Sequence, residues 1–305
     1  MSVLPIPRLA AAALLAAACA RHTPAPERAG DAAPSSSASS AASTGASVDA
    51  AVARQPLAGF PAQMELLDPP DGDAGTKTTK LGVLSVPLGA HEPRPIMVAL
   101  HGGSDHPEWA CNAWRGIINA YAFLVCPHGT GTNEASLAWA SPADTKARIA
   151  RAVDATRKKF GSWVREAPVV LVGFSMGATQ AALLARSDPK TYPRVALAES
   201  AYAPEAAMAF AGPWAAGGGE RAIFLCTTVG CEGPYRSAAR NVAQHHAPAR
   251  LVIAGTNAHG MWDDVVRAMR RDWPWLVEGV AGWESYVPPL EDGPLPGKTE
   301  LFDPR

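Results

Sequence analysis

Residues 169–182 read Val-Val-Leu-Val-Gly-Phe-Ser-Met-Gly-Ala-Thr-Gln-Ala-Ala, and the rest of the chain can be ordered around them. The four branched apolar residues Val169 to Val172 predict a buried strand. Gly173-Phe174-Ser175-Met176-Gly177 then matches G-x-S-x-G, and an Ala-rich helical run follows at once. Strand, tight turn and helix in that order is the context that gives the motif meaning. Such a turn holds Ser175 strained at the carboxyl end of the strand with its hydroxyl open to attack. It also aims the N–H of Met176 at the place where an oxyanion would form. Gly173 and Gly177 are small because the strand and helix backbones nearly touch there. A plain β-α turn that needs small residues is the competing interpretation.

Outward from this stretch, strands and helices alternate. Upstream, Pro95 to Leu100 reads as a strand that runs into His101-Gly102-Gly103, 107–120 as a helix begun near Pro107, and Ala122 to Cys126 as a strand. A helix is expected from about Asp144 to Phe160, with Ile149, Val153, Thr156 and Phe160 on one face. Two earlier strands, Met64 to Leu67 and Thr79 to Val86, are split by the turn signal Asp68-Pro69-Pro70-Asp71-Gly72. Downstream, strands are expected at Arg194–Ala198, Arg221–Cys226 and Arg250–Gly255, and helices at 234–246 and 261–271. Residues 203–220 are rich in Ala, Gly and Pro and carry no assigned element, and a Pro-rich tail ends the chain. This alternation predicts an α/β fold, a mostly parallel central sheet with helices on both faces. Only about 20 residues separate the strands ending at Ala198 and starting at Arg221, too few for a large cap domain.

Bulk properties narrow the function. The 305 residues carry 27 Lys+Arg against 28 Asp+Glu, so there is no basic field for nucleic acid. The first 18 residues have the form of an export signal: Arg8, then ten uncharged residues from Leu9 to Ala18, too few to span a bilayer. The run Leu15-Ala16-Ala17-Ala18-Cys19 resembles a bacterial lipobox, although Ala16 stands where the tighter pattern has Leu or Val. That resemblance implies lipidation of Cys19; the alternative is a secretory signal cut after A-x-A. Residues 19–58 are an Ala/Ser/Pro-rich linker with too little apolar surface to fold, and the globular domain is expected over 59–305.

Export permits disulfides. With Cys19 set aside, Cys111, Cys126, Cys226 and Cys231 remain and allow three pairings. Proximity along the chain favours Cys111–Cys126 and Cys226–Cys231. No C-x-x-C or His-x-x-x-His spacing suggests a metal site.

Three pieces of chemistry fall at carboxyl ends of expected parallel strands, the edge where such sheets bind ligands: His101-Gly102-Gly103, Ser175, and His259 in Asn257-Ala258-His259-Gly260. A serine needs a base to become nucleophilic, and a neutral imidazole within reach serves. On these residues the chain from about 63 to 280 resembles an α/β-hydrolase, nearest to exported esterases related to dienelactone hydrolases and polyhydroxyalkanoate depolymerases. The resemblance implies that Ser175 attacks an acyl carbonyl and that His259 shuttles the proton. The N–H groups of Gly103 and Met176 would hold the oxyanion, with no cofactor required. The triad acid is expected at Glu232, after the strand ending at Cys226 and in a loop pinned by a Cys226–Cys231 bridge. Glu199 is the second choice, because some relatives place the acid one strand earlier. His101 is expected to shape the oxyanion loop. Trp109, Trp139, Tyr202, Trp214 and Trp262 fall near carboxyl ends of strands, where they either line a site or pack under loops.

The expected activity is a serine esterase acting on a small-molecule or polymer ester. Its only membrane contact would be the N-terminal lipid, in the cell envelope, and the protein would be a monomer. A non-catalytic binding lipoprotein on the same fold and a peptidase of that fold are the alternatives.

Overall fold

The computed structural model describes residues 54–68, 79–131, 136–200, 204–255 and 258–304. The signal stretch, Cys19, nearly all of the linker and Tyr202 lie outside the described residues. Within them, nine strands form one sheet: β1 (Gln63–Leu67), β2 (Lys80–Ser85), β3 (Ile96–Leu100), β4 (Phe123–Pro127), β5 (Val170–Phe174), β6 (Arg194–Ala198), β7 (Arg221–Cys226), β8 (Ala249–Ile253) and β9 (Lys298–Phe302). Their order is β1-β2-β4-β3-β5-β6-β7-β8-β9. All pairs from β4 to β8 are parallel, and the β1–β2, β2–β4 and β8–β9 pairs are antiparallel. Six α-helices accompany the sheet: α1 (Pro107–Ile117), α2 (Pro142–Phe160), α3 (Met176–Ser187), α4 (Pro204–Ala216), α5 (Val229–Gln244) and α6 (Asp263–Val277). Two of them begin as their sequences suggest, with Pro107 and Pro142 in the first turn, and the Ser141 hydroxyl accepts from the Asp144 N–H at 3.1 Å.

Two apolar layers follow from the period-two alternation of strands buried on both faces. In β3, Ile96, Val98 and Leu100 point to the layer covered by α2, α3 and α5, while Met97 and Ala99 point to that covered by α1 and α6. In β7, Phe224 and Ile223 divide in the same way. The expected α/β-hydrolase architecture, a mostly parallel sheet with a nucleophile-type turn on the central strand β5, is the one observed.

Four local expectations change. Leu57, assigned to the linker, is buried and its N–H donates to the Ala90 carbonyl at 2.8 Å, so packing starts before Gly59. Residues 204–216 form α4, and their Ala content outweighs the internal Pro213. Helix α5 starts at Val229, not Pro234, so Cys231 and Glu232 stand on its first turn rather than in a loop. The tail returns as β9, an edge strand that pairs with β8 through backbone groups and needs no apolar alternation to do so.

Candidate active site

The turn after β5 explains its own composition. Ser175 has φ 52° and ψ −118°, a conformation costly for any residue with a Cβ, and precedes α3 directly. A Cβ on Gly173 would collide with the Gly177 carbonyl, and one on Gly177 with the carbonyls of Leu100 and His101. Small residues at both positions let α3 lie against the ends of β5 and β3, which brings the Ser175 hydroxyl to the sheet edge.

Strand register then supplies its neighbours. Phe174 pairs with Ala198, the Ser175 N–H donates to the Ala198 carbonyl at 2.8 Å, and the Glu199 N–H donates to the Leu225 carbonyl at 3.0 Å. Ser175 and Glu199 therefore occupy equivalent places at the ends of adjacent strands. His259, in the loop after β8, reaches back over both. Its Nε2 lies 3.0 Å from Ser175 Oγ, and its Nδ1 lies 3.1 Å from Glu199 Oε2. The Phe174 ring packs on the imidazole with centroids 4.8 Å apart, and Thr227 Oγ1 donates to the Ala258 carbonyl at 2.7 Å, which steadies the loop.

Glu232 does not occupy the expected place. Its carboxylate accepts from Arg236 one turn along α5, at 3.4 Å, and Arg236 in turn grips Glu300 of β9 at 2.7 Å. The early start of α5 puts Glu232 on the helix and commits its side chain to that ion pair, while Glu199 holds the position beside His259. Glu199 is fully buried with φ 51°. Its carboxylate accepts from the Thr227 N–H at 2.5 Å, the Thr228 N–H at 2.7 Å and the Thr228 hydroxyl at 3.1 to 3.2 Å. Burial works against ionisation most strongly, yet the hydrogen bonds from His259, Thr227 and Thr228 hold the carboxyl below its usual value. A buried anion at the N-terminal end of α5 also meets the positive end of the helix dipole.

The two residues expected to bind an oxyanion lie together. Met176 is the first residue of α3, where backbone N–H groups lack intrahelical partners. Gly103 packs so closely on Met176 that an added Cβ would stand 3.1 Å from Met176 Cε. Of three consecutive amides, Gly102 N–H donates to Asp105 Oδ2 at 3.1 Å and Ser104 N–H to the Leu137 carbonyl at 2.7 Å. The Gly103 N–H has no partner among the described residues. His101 is buried beneath this loop against Trp139, with ring centroids 4.6 Å apart and Nδ1 2.7 Å from the Gly102 carbonyl. Burial pushes its pKa below the ordinary imidazole value. Its ring and carbonyl hold to Gly102 and Trp139, under the loop.

A cavity of about 360 Å³ opens beside Ser175 and His259. Trp109, Ala110, Ala113 and Trp114 of α1, with Phe174, Met261 and Trp262, give it apolar walls; among the described residues Asp105 also lines it and no Lys or Arg does. Trp109 and Trp262 are 61% and 60% exposed. Gly260 makes room for the Trp262 indole, which a Cβ there would strike. Of the aromatics considered from sequence, Trp139 is buried on His101 and Trp214 in the core against Phe210. Cys111–Cys126 and Cys226–Cys231 are disulfides, with Cα atoms 5.8 Å apart in each. Glu199, Cys226 and Cys231 bring possible donor atoms within 4.8 Å of one another, but the sulfurs are bonded to each other and offer no thiolate to a metal. Among the described residues no helix is long and apolar enough to cross a membrane.

No family model matches the chain, and no curated protein matches it. Several solved structures are similar in fold. Est1E from Butyrivibrio proteoclasticus, solved with ferulic acid bound, is 13% identical over 64% of this chain and 94% of its own, with a TM-score of 0.48. An S-formylglutathione hydrolase from Agrobacterium tumefaciens is 13% identical over 73% and 97%, at 0.45. A carboxylesterase from Mesorhizobium loti is 19% identical over 61% and 90%, at 0.42. At this level the likeness concerns the course of the chain and says nothing of substrate.

Proposed function

We propose that this chain is an exported serine hydrolase that cleaves carboxylic esters through an acyl-enzyme on Ser175. One observation carries the proposal: the continuous line from Ser175 Oγ through the His259 imidazole to the Glu199 carboxylate, with contacts of 3.0 and 3.1 Å. In this reading the Nδ1–H of His259 donates a hydrogen bond to Glu199, which leaves Nε2 as the acceptor facing Ser175. As Ser175 Oγ bonds to the acyl carbon, its proton passes to His259 Nε2. The carbonyl oxygen gains charge and meets the N–H groups of Met176 and Gly103. His259 then protonates the departing alcohol, and a water activated by the same nitrogen releases the acid.

The apolar walls favour an ester with an apolar acyl or alcohol group, and Asp105 in the lining disfavours an anionic one. The disulfides agree with an oxidising compartment outside the cytoplasm. In the same reading the monomeric domain is tethered to the cell envelope by a lipid on Cys19. Loss of lipid labelling and of membrane retention in Cys19→Ser would support that tether, and unchanged fractionation would refute it.

The chemistry is tested with p-nitrophenyl esters and a fluorophosphonate probe on wild type, Ser175→Ala and His259→Ala. Turnover and labelling should vanish in Ser175→Ala, and His259→Ala should lose nearly as much turnover, because triad members act as a unit. Unchanged turnover in either variant would refute the proposal.

A further inference from the structure

We infer that the Cys226–Cys231 disulfide is a positioning element for Glu199, so that turnover at Ser175 depends on this one bridge. The inference rests on the esterase reading above. Among the described residues, apart from His259, every hydrogen-bond donor to the Glu199 carboxylate lies in the short segment that the bridge closes: the Thr227 N–H, the Thr228 N–H and the Thr228 hydroxyl. The Cys231 sulfur itself lies 3.0 Å from Glu199 Oε1. Bonded to Cys226, it has no proton to donate, and it acts as a wall behind the carboxylate.

Beyond the bridge and Glu199, the segment is anchored by the Thr227 hydroxyl on the Ala258 carbonyl, at its strand end, while the helix end is weak. Thr228 is the N-cap residue just before α5, yet its hydroxyl caps no helix N–H and is turned to Glu199 instead. The first turns of α5 contain Gly230, Gly233 and Pro234, which are poor helix formers. Neither glycine is required by space, since a Cβ on either would meet nothing within 4 Å. The bridge ties this weak helix start to the rigid end of β7. Without it, fraying of the first turn would carry the two N–H donors and the threonine hydroxyl away from Glu199. Glu199 is itself held at a positive φ at the end of β6, so a loosened carboxylate would no longer fix the tautomer of His259. The other disulfide, Cys111–Cys126, links α1 to β4 in the apolar layer on the other face of the sheet from Cys226–Cys231.

The test uses the full chain, p-nitrophenyl acetate kinetics and a cycle of variants. Cys226→Ala/Cys231→Ala should lower kcat by about tenfold or more while KM stays within about twofold. In a Glu199→Gln background the same pair of substitutions should cost less than about twofold further, because the bridge acts through that carboxylate. Cys111→Ala/Cys126→Ala should lower the melting temperature, and any loss of kcat should add to that of Glu199→Gln. A bridge variant with wild-type kcat, or losses that simply add, would overturn the inference. If the bridge variant shows no cooperative melt, Thr228→Val decides, since it keeps the disulfide and removes the hydroxyl. Its kcat should fall several-fold, about threefold or more, and not additively with Glu199→Gln; an unchanged or additive result overturns the inference. A wild type that neither turns over esters nor takes the fluorophosphonate sinks the esterase reading itself, a different outcome from an active enzyme indifferent to its bridge.

Discussion

Replacing Glu199 with glutamine should cripple turnover while leaving the fold in place, and the size of the loss follows from the contacts. Two backbone N–H groups point at Oε1, from Thr227 at 2.5 Å and Thr228 at 2.7 Å, so a glutamine keeps its amide oxygen there. Its NH₂ then takes the place of Oε2, 3.1 Å from His259 Nδ1. A donor facing Nδ1 requires that nitrogen to be the acceptor, which puts the imidazole proton on Nε2. That nitrogen stands 3.0 Å from Ser175 Oγ and can no longer accept its proton. Loss of the correct tautomer with geometry preserved costs on the order of 10³ to 10⁴ in kcat, or about 4 to 5.5 kcal/mol of transition-state stabilisation. KM should change little, because Glu199 does not itself line the cavity and reaches it only through His259. The assay is steady-state hydrolysis of p-nitrophenyl acetate, with circular dichroism and a thermal melt to confirm folding. Glu232→Gln is the companion, and it should stay within about twofold of wild type because Glu232 meets Arg236 rather than His259. A Glu199→Gln enzyme within about tenfold of wild type, or a crippled Glu232→Gln, would refute the assignment.

Three further outcomes are expected. Gly177→Ala should destabilise the fold by about 1–3 kcal/mol or more, seen as a lower urea midpoint, because the new methyl meets the Leu100 and His101 carbonyls; an unshifted midpoint would contradict this. Trp109→Ala and Trp262→Ala should raise KM for esters with bulky apolar acyl groups by roughly fivefold to tenfold and leave acetate esters near wild type, given what a buried aromatic contact is worth. Equal effects on both esters would remove the two indoles from the binding site. Acid should also report on Glu199. Its folded pKa is depressed, so its ionic contribution to stability is fully present above the unfolded value of about 4.3 and is lost as pH falls through the lower folded value. The stability gap between wild type and Glu199→Gln should therefore shrink in urea melts below about pH 4, and a gap that widens there would contradict the assignment of the shift.

Much of this protein can be read from local sequence, because the relevant physics is local. The run Val169–Val172, the two glycines around Ser175 and the Ala-rich segment after them specify strand, strained turn and helix within a few residues. Near-continuous apolar strands alternating with helices imply a parallel sheet, and a parallel sheet brings the ends of β3, β5 and β8 to one edge with His101, Ser175 and His259. Both disulfides join cysteines close in the chain, so proximity was a sound guide. The acid was not open to such reasoning. Glu199 and Glu232 each follow a strand and lie before His259, and nothing local separates them. The choice is made by the register of β5 on β6, which sets Glu199 level with Ser175, and by the start of α5 at Val229. Gly230, Gly233 and Pro234 mask that helix start in the sequence. Helix α4 and strand β9 were obscured for a related reason: composition argued against an element that tertiary packing and an open sheet edge nonetheless support. Which carboxylate faces the histidine is a property of strand pairing and of one disulfide-closed turn, and both exist only once distant parts of the chain have met.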